Sequence, residues 1–100
     1  MPWIICYDIE LDNVRLRTAN RLIEFGFLRI QKSVFGGDPS ESVIEELKIW
    51  LKKTIENELE NEDHILLLPC TQRQLESAIH YGIPPADWDF LLSPPNTLIL

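Results

Sequence analysis

Apolar residues bunch at the start of the chain instead of alternating. Trp3-Ile4-Ile5-Cys6-Tyr7-Asp8-Ile9 is rich in β-branched and aromatic groups, which predicts a strand over residues 3–9 with apolar side chains on both faces. Both faces then need cover. Helices supply one layer, and a partner subunit is the simplest source of the other. Over residues 13–25 the period changes to that of a helix. Val14, Leu16, Ala19, Leu22, Ile23 and Phe25 share one broad apolar arc, with Arg17, Asn20, Arg21 and Glu24 opposite. Asp12 is the expected N-cap and Gly26 the residue that stops the helix. Arg15 falls inside the apolar arc. A guanidinium there snorkels out of the helix start, closes a structural ion pair, or reaches a buried anion.

Residues 27–35 are extended, with Leu28, Ile30, Val34 and Phe35 as apolar bulk before Gly36-Gly37-Asp38-Pro39 breaks the run. They form one bent strand or two strands joined near Lys32-Ser33, where none of the usual hairpin turn residues stands. A second helix is expected over residues 39–59. Asp38 is its expected cap, Pro39 its first residue, and Val43, Leu47, Trp50, Leu51 and Ile55 its apolar stripe. The charged flanks Glu45, Glu46, Lys48, Lys52 and Lys53 read as a solvated face. His64-Ile65-Leu66-Leu67-Leu68 predicts another strand, ended by Pro69, and Leu75, Ala78 and Ile79 a short helix closed by Gly82. The last stretch carries Pro84-Pro85, Trp88, Phe90-Leu91-Leu92, Pro94-Pro95 and Leu98-Ile99-Leu100. Its prolines argue against a regular helix, and its apolar content argues for burial. Residues 97–100 suit an edge strand on this sheet or a neighbour's.

The order strand, helix, strand or hairpin, helix, strand fits a ferredoxin-like βαββαβ fold of the α+β class. Its antiparallel sheet carries two helices on one face, and the bare opposite face is a natural homodimer surface. The division expected is a domain over residues 1–86 and a docking tail over 87–100.

One hundred residues, 45% hydrophobic and 25% charged, describe an ordinary single globular domain. No apolar run is long enough to span a membrane. No export signal is read at the N-terminus, so the cytoplasm is the expected compartment. Cys6 and Cys70 lie in apolar surroundings, as buried thiols do, and make no disulfide framework. The net charge of −7 speaks against a general nucleic-acid coat. The distribution matters more than the total. Residues 1–38 hold five basic and five acidic groups, while residues 39–63 hold three basic and eight acidic. The arginines thus collect in the first third, beside Asp8.

Asp8 ends an oily strand. A carboxylate in such a place is costly unless something pairs it. A metal ion held by carboxylate and water suits phosphodiester chemistry, and a strand-end Asp that caps the following turn is the plainer alternative.

Tyr7-Asp8-Ile9, Arg15 and Arg17, Gly26, Arg29-Ile30-Gln31 and Ser33-Val34-Phe35 together resemble the signature of the Cas-two family. These are small CRISPR-associated proteins of the spacer-acquisition machinery. The resemblance covers residues 3–38 well, continues loosely through the second helix and the strand at Ile65, and ends near Asp87. It implies a ferredoxin-like homodimer with its sheets packed face to face, and two short strands within residues 27–35. It implies a metal-dependent endonuclease acting on single-stranded RNA or double-stranded DNA. Asp8 would be the catalytic residue and the ligand of Mg2+, with its symmetry mate nearby. Arg15, Arg17 and Arg29 would contact phosphates. Tyr7, Ser33 and Phe35 would shape the site. The family also implies a second role, in which the dimer bridges Cas-one integrase dimers on DNA and the apolar tail docks that partner. A purely structural adaptor and a toxin-type ribonuclease of the same fold are the alternatives. The acidity of the chain departs from what tight duplex binding by an isolated dimer requires.

Overall fold

The first apolar run folds as β1 (Trp3–Asp8), and the computed structural model describes residues 1–85 and 88–92. Ile5 and Tyr7 are buried on one face of this strand, while Ile4 and Cys6 are half-buried and Asp8 exposed on the other. Both faces are therefore used, as the double-sided apolar run requires. The chain continues through α1 (Asp12–Glu24), β2 (Leu28–Gln31), β3 (Val34–Gly37), α2 (Glu41–Trp50), β4 (His64–Pro69), α3 (Gln72–Glu76) and α4 (Trp88–Leu92). Among the described residues the sheet has four strands in the order β2-β3-β1-β4, and each pairing is antiparallel. This is the ferredoxin-like βαββαβ arrangement. The stretch with two readings is a hairpin of two short strands. Arg29 pairs with Phe35 and Gln31 with Val34, so the register shifts and Ile30 is the extra residue of a bulge.

Ile5, Tyr7, Val14, Leu22, Phe35, Ile44, Leu47 and Ile55 belong to one core between the sheet and the two long helices. On α1 the buried stripe is Val14, Thr18, Ala19 and Leu22, narrower than the predicted arc. Leu16 and Ile23 are exposed instead. Thr18 tolerates full burial because its hydroxyl donates to the Val14 carbonyl at 2.9 Å. Asp12 is not the N-cap. Leu11 takes that position without a side-chain hydrogen bond, and Asp12 lies in the first helical turn, where a carboxylate favours the helix dipole. Gly26 stops the helix with a φ of +95°, and its N–H donates to the Ile23 carbonyl.

The start of α2 is also displaced from the expected position. Ser40 is the cap, accepting from the Val43 N–H at 3.3 Å, whereas Asp38 faces the N-terminal ammonium at 2.9 Å. Beyond Trp50 the helix widens into a π turn (Leu51–Ile55) and tightens into a 3-10 turn (Glu56–Glu58). Ile44 joins the buried stripe, and Val43 lies at its margin. Thr71 and Gln74 form a reciprocal capping box that starts α3.

The tail corrects one expectation. Residues Trp88–Leu92 form a short helix, α4, in the stretch between the two proline pairs. Leu91 is buried, and a Cβ placed on Gly36 would lie 3.1 Å from its methyl. The sheet face opposite the long helices is thus partly covered by this chain's own α4, over β3. Leu66 and Leu68 of β4 remain about half exposed on that face, at 49% and 50%. The expected edge strand over residues 97–100 lies outside the described residues. Both cysteines are free and only half-buried. Among the described residues no helix is long and apolar enough to cross a membrane.

Candidate nucleic-acid interface

Two grooves meet at the end of β1. The larger, of about 910 Å³, is lined by Tyr7 and Asp8 of β1, Asp12 and Arg15 of α1, and Arg29 to Ser33 of the β2–β3 hairpin. The smaller, of about 590 Å³, runs from Asp8, Glu10 and Arg15 to the loop carrying Asn61, Glu62 and Asp63. Asp8 and Arg15 line both. The two sides differ in sign. The larger groove sets Arg15, Arg29 and Lys32 against Asp8 and Asp12, while the smaller sets Arg15 against Asp8, Glu10, Glu62 and Asp63. A basic edge therefore exists within an acidic protein, as focused recognition of phosphate requires.

Sheet register assembles this site. The Tyr7 N–H donates to the Ser33 carbonyl at 3.1 Å, tying the exit of β1 to the hairpin turn. The Tyr7 hydroxyl donates to the Lys32 carbonyl at 3.4 Å. Arg29 donates to that same carbonyl from Nε at 3.1 Å and from a terminal nitrogen at 2.9 Å. Because Arg29 is the register partner of Phe35, the two side chains share a face, and the guanidinium lies 5.1 Å from the Phe35 ring centre. Tyr7 and Phe35 stack with centroids 6.1 Å apart.

Arg15 meets two of its three readings at once. Its guanidinium leaves the helix start and donates to the carbonyls of Ile9 and Glu10 at 3.0 and 3.3 Å, and it pairs with Asp12. It braces the strand exit that carries Asp8 and reaches no buried anion. Arg17 stands apart from the groove and pairs with Glu58 at 2.6 Å. Phe35 is fully buried beneath the groove and does not line it. The structure therefore brings Tyr7, Asp8, Arg15, Arg29 and Ser33 together, and leaves Arg17 and Phe35 outside. Lys32 was missed by sequence reading. The signal available was its place in the turn between two paired strands, opposite the end of β1.

Asp8 is exposed and, among the described residues, its carboxylate makes no hydrogen bond or ion pair. Its register partner on β4 is His64, whose Nδ1 is 3.1 Å from the Glu62 carbonyl. Among the described residues no three His, Cys, Asp or Glu side chains converge as a metal cage. A lone exposed carboxylate such as that of Asp8 is chemically able to fill one place in the oxygen shell of a hard cation.

Comparisons with known proteins bear on this arrangement. Residues 1–78 match the family model described as CRISPR associated protein Cas2. A protein of Pyrobaculum aerophilum named CRISPR-associated endoribonuclease Cas2 1 is 35% identical over 85 residues, 85% of this chain and 84% of that protein. A CRISPR-associated endoribonuclease Cas2 of Aeropyrum pernix is 42% identical over 80 residues, 80% of this chain and 82% of its own length. Among solved structures, Streptococcus pyogenes Cas2 superposes with a TM-score of 0.68 at 18% identity, covering 82% of this chain and 100% of that one. That likeness speaks for the fold alone. A hypothetical protein from Thermus thermophilus superposes with a TM-score of 0.67 at 25% identity, covering 84% of this chain and 93% of that one. Because the matching segments include β1, the hairpin and both long helices, the likeness extends through the whole sheet, and the chain belongs to the CRISPR-associated Cas2 family.

Proposed function

We propose that this chain is an endoribonuclease of a CRISPR system that cleaves single-stranded RNA as a homodimer, with magnesium held at Asp8. The observation that carries the reading is Asp8 itself. It is an exposed, unpartnered carboxylate at the junction of two grooves, beside Arg15, Arg29 and Lys32. A structural Asp at a strand end commonly caps the next turn. Asp8 does not, since the carboxylate that bonds backbone N–H groups here is Asp63, which accepts from Glu10 and Glu60 at 3.0 and 3.1 Å.

The two copies of Asp8 in a dimer built on the open sheet face would supply a carboxylate pair, and like charges brought close favour a cation between them. Bound magnesium would supply positive charge at a phosphate oxygen and acidify a water. The chain's own residues do the remaining work. Arg15 braces the strand end, Tyr7 and Arg29 hold the hairpin turn, and the groove cations face the phosphodiester backbone. The names of the relatives from Pyrobaculum and Aeropyrum support RNA as substrate.

The test uses end-labelled single-stranded RNA and duplex DNA, with magnesium or with chelator, and Asp8→Asn beside the parent. The expected result is magnesium-dependent RNA cleavage that falls roughly 10²-fold in the variant, the size of loss typical when one electrostatic contact to a transition state is removed. The urea midpoint should stay put, because Asp8 holds no partner. Cleavage indifferent to both chelator and substitution would sink the assignment.

A second reading has its own support. The half-exposed Leu66 and Leu68, with Ile79, Tyr81 and Ile83 exposed between α3 and α4, offer apolar surface to protein partners. That suits an adaptor in spacer acquisition, dimeric and bridging a Cas-one integrase on DNA. Spacer uptake retained in cells carrying Asp8→Asn would favour it over catalysis.

A further inference from the structure

Not every cation of the larger groove is equally available to a ligand. Arg15 spends its hydrogen bonds on the Ile9 and Glu10 carbonyls and on Asp12. Arg29 gives two donors to the Lys32 carbonyl and lies over Phe35. Lys32 differs. Its backbone carbonyl is the acceptor for both Arg29 and Tyr7, while its exposed ammonium makes no hydrogen bond, ion pair or ring contact among the described residues. It still lines the groove that Asp8 closes.

We infer a division of labour in which Lys32 is the phosphate-binding cation of the groove, and Arg29 is a positioning residue that fixes the turn presenting it. This deepens the nucleic-acid reading above and rests on it. The chemistry is that of a point charge on a flexible stem, which recognises a phosphodiester without demanding the two-pronged geometry of a guanidinium. Arg29 can do little else without giving up two hydrogen bonds to a carbonyl that would then lose most of its partners. The bulge at Ile30 explains why the pair works together. It sets Arg29 beside Phe35, pairs Gln31 with Val34 and leaves Lys32 and Ser33 to turn the chain toward the end of β1.

The experiment measures affinity for a short labelled single-stranded RNA as a function of salt, in magnesium-free buffer. Each phosphate contact adds about 0.7 to the slope of log K against log salt. Lys32→Gln should lower the slope by about that amount, and so cost about eightfold in affinity near 50 mM salt. Lys32→Arg should restore both. Arg29→Gln should weaken binding by lowering the slope, by no more than Lys32→Gln does, and should cost no further slope or affinity in the Lys32→Gln background. The last result is one that a purely structural role would not produce. A slope lost in Arg29→Gln and kept in Lys32→Gln overturns the assignment while leaving the nucleic-acid reading intact. A parent protein with no salt-dependent affinity for RNA or duplex DNA overturns both.

Discussion

Replacing Phe35 separates a core residue from a substrate contact. The family signature makes Phe35 a residue of the site, yet its side chain is 0% exposed. Its ring stacks on Tyr7 at 6.1 Å and carries the Arg29 guanidinium at 5.1 Å. Phe35→Ala opens a cavity between the sheet and the helices, worth about 4 kcal/mol. That is a large share of the ~5–15 kcal/mol that holds a domain of this size together, and it corresponds to a fall of roughly 20 °C in Tm. Phe35→Leu keeps most of the volume. It forfeits the ring pair with Tyr7, about 1 kcal/mol, and the cation contact, about 0.5 kcal/mol near the surface, for a total near 1.5 kcal/mol. Urea unfolding followed by far-UV circular dichroism measures both, at one protein concentration, because self-association would add to the apparent stability. RNA cleavage by Phe35→Leu at a temperature where it is folded should stay close to the parent's. If Phe35→Ala keeps the parent's urea midpoint and loses cleavage, the ring acts on substrate and its placement in the core is wrong.

Three further outcomes follow from other parts of the molecule. Arg17→Ala breaks an exposed ion pair with Glu58, so it should cost at most about 1 kcal/mol in urea and leave the salt dependence of RNA binding unchanged. Gly26→Ala puts a Cβ at a φ of +95° where no atom lies within 4 Å. Its cost is therefore backbone strain alone, about 1 kcal/mol by the same measurement. Burial first, and then the Asp38 carboxylate, raise the Cys70 thiol above its ordinary 9.0, against the pull of the N-terminal ammonium. The unfolded thiol loses its proton first, so this contribution is full below about pH 9 and is lost as pH rises through the folded value. Cys70→Ser should flatten that part of the alkaline decline in urea midpoint.

Much of the candidate site is carried by short-range signals. Tyr7 and Asp8 stand at the end of an apolar run, and Arg29 and Ser33 fall within the next extended segment, so their collection at one end of a sheet is readable once the βαββαβ order is recognised. The family resemblance rested on the same residues. Other features resist such reading. Leu16 and Thr18 stand two residues apart, on opposite sides of α1, and side-chain type alone favours burying the leucine. The structure buries the threonine, because its hydroxyl is satisfied by the Val14 carbonyl within the helix. Asp12 and Asp38 are plausible caps by type. Arg15 and the N-terminal ammonium claim them instead, and Leu11 and Ser40 take the cap positions.

The amino-acid sequence by itself determined the alternation of strands and helices, the stop at Gly26, the apolar stripe of α2 and the gathering of basic groups in the first third. Those depend on neighbours within a few residues, where periodicity, backbone sterics and local charge act directly. Only the tertiary structure decided which cations stay free, whether Asp8 is buried or open, and what covers the second face of the sheet. Partnership of a charged group is set by strand register, by a bulge one residue long and by the return of α4 over β3. Each of these joins segments far apart in the chain, and local pattern carries no record of them.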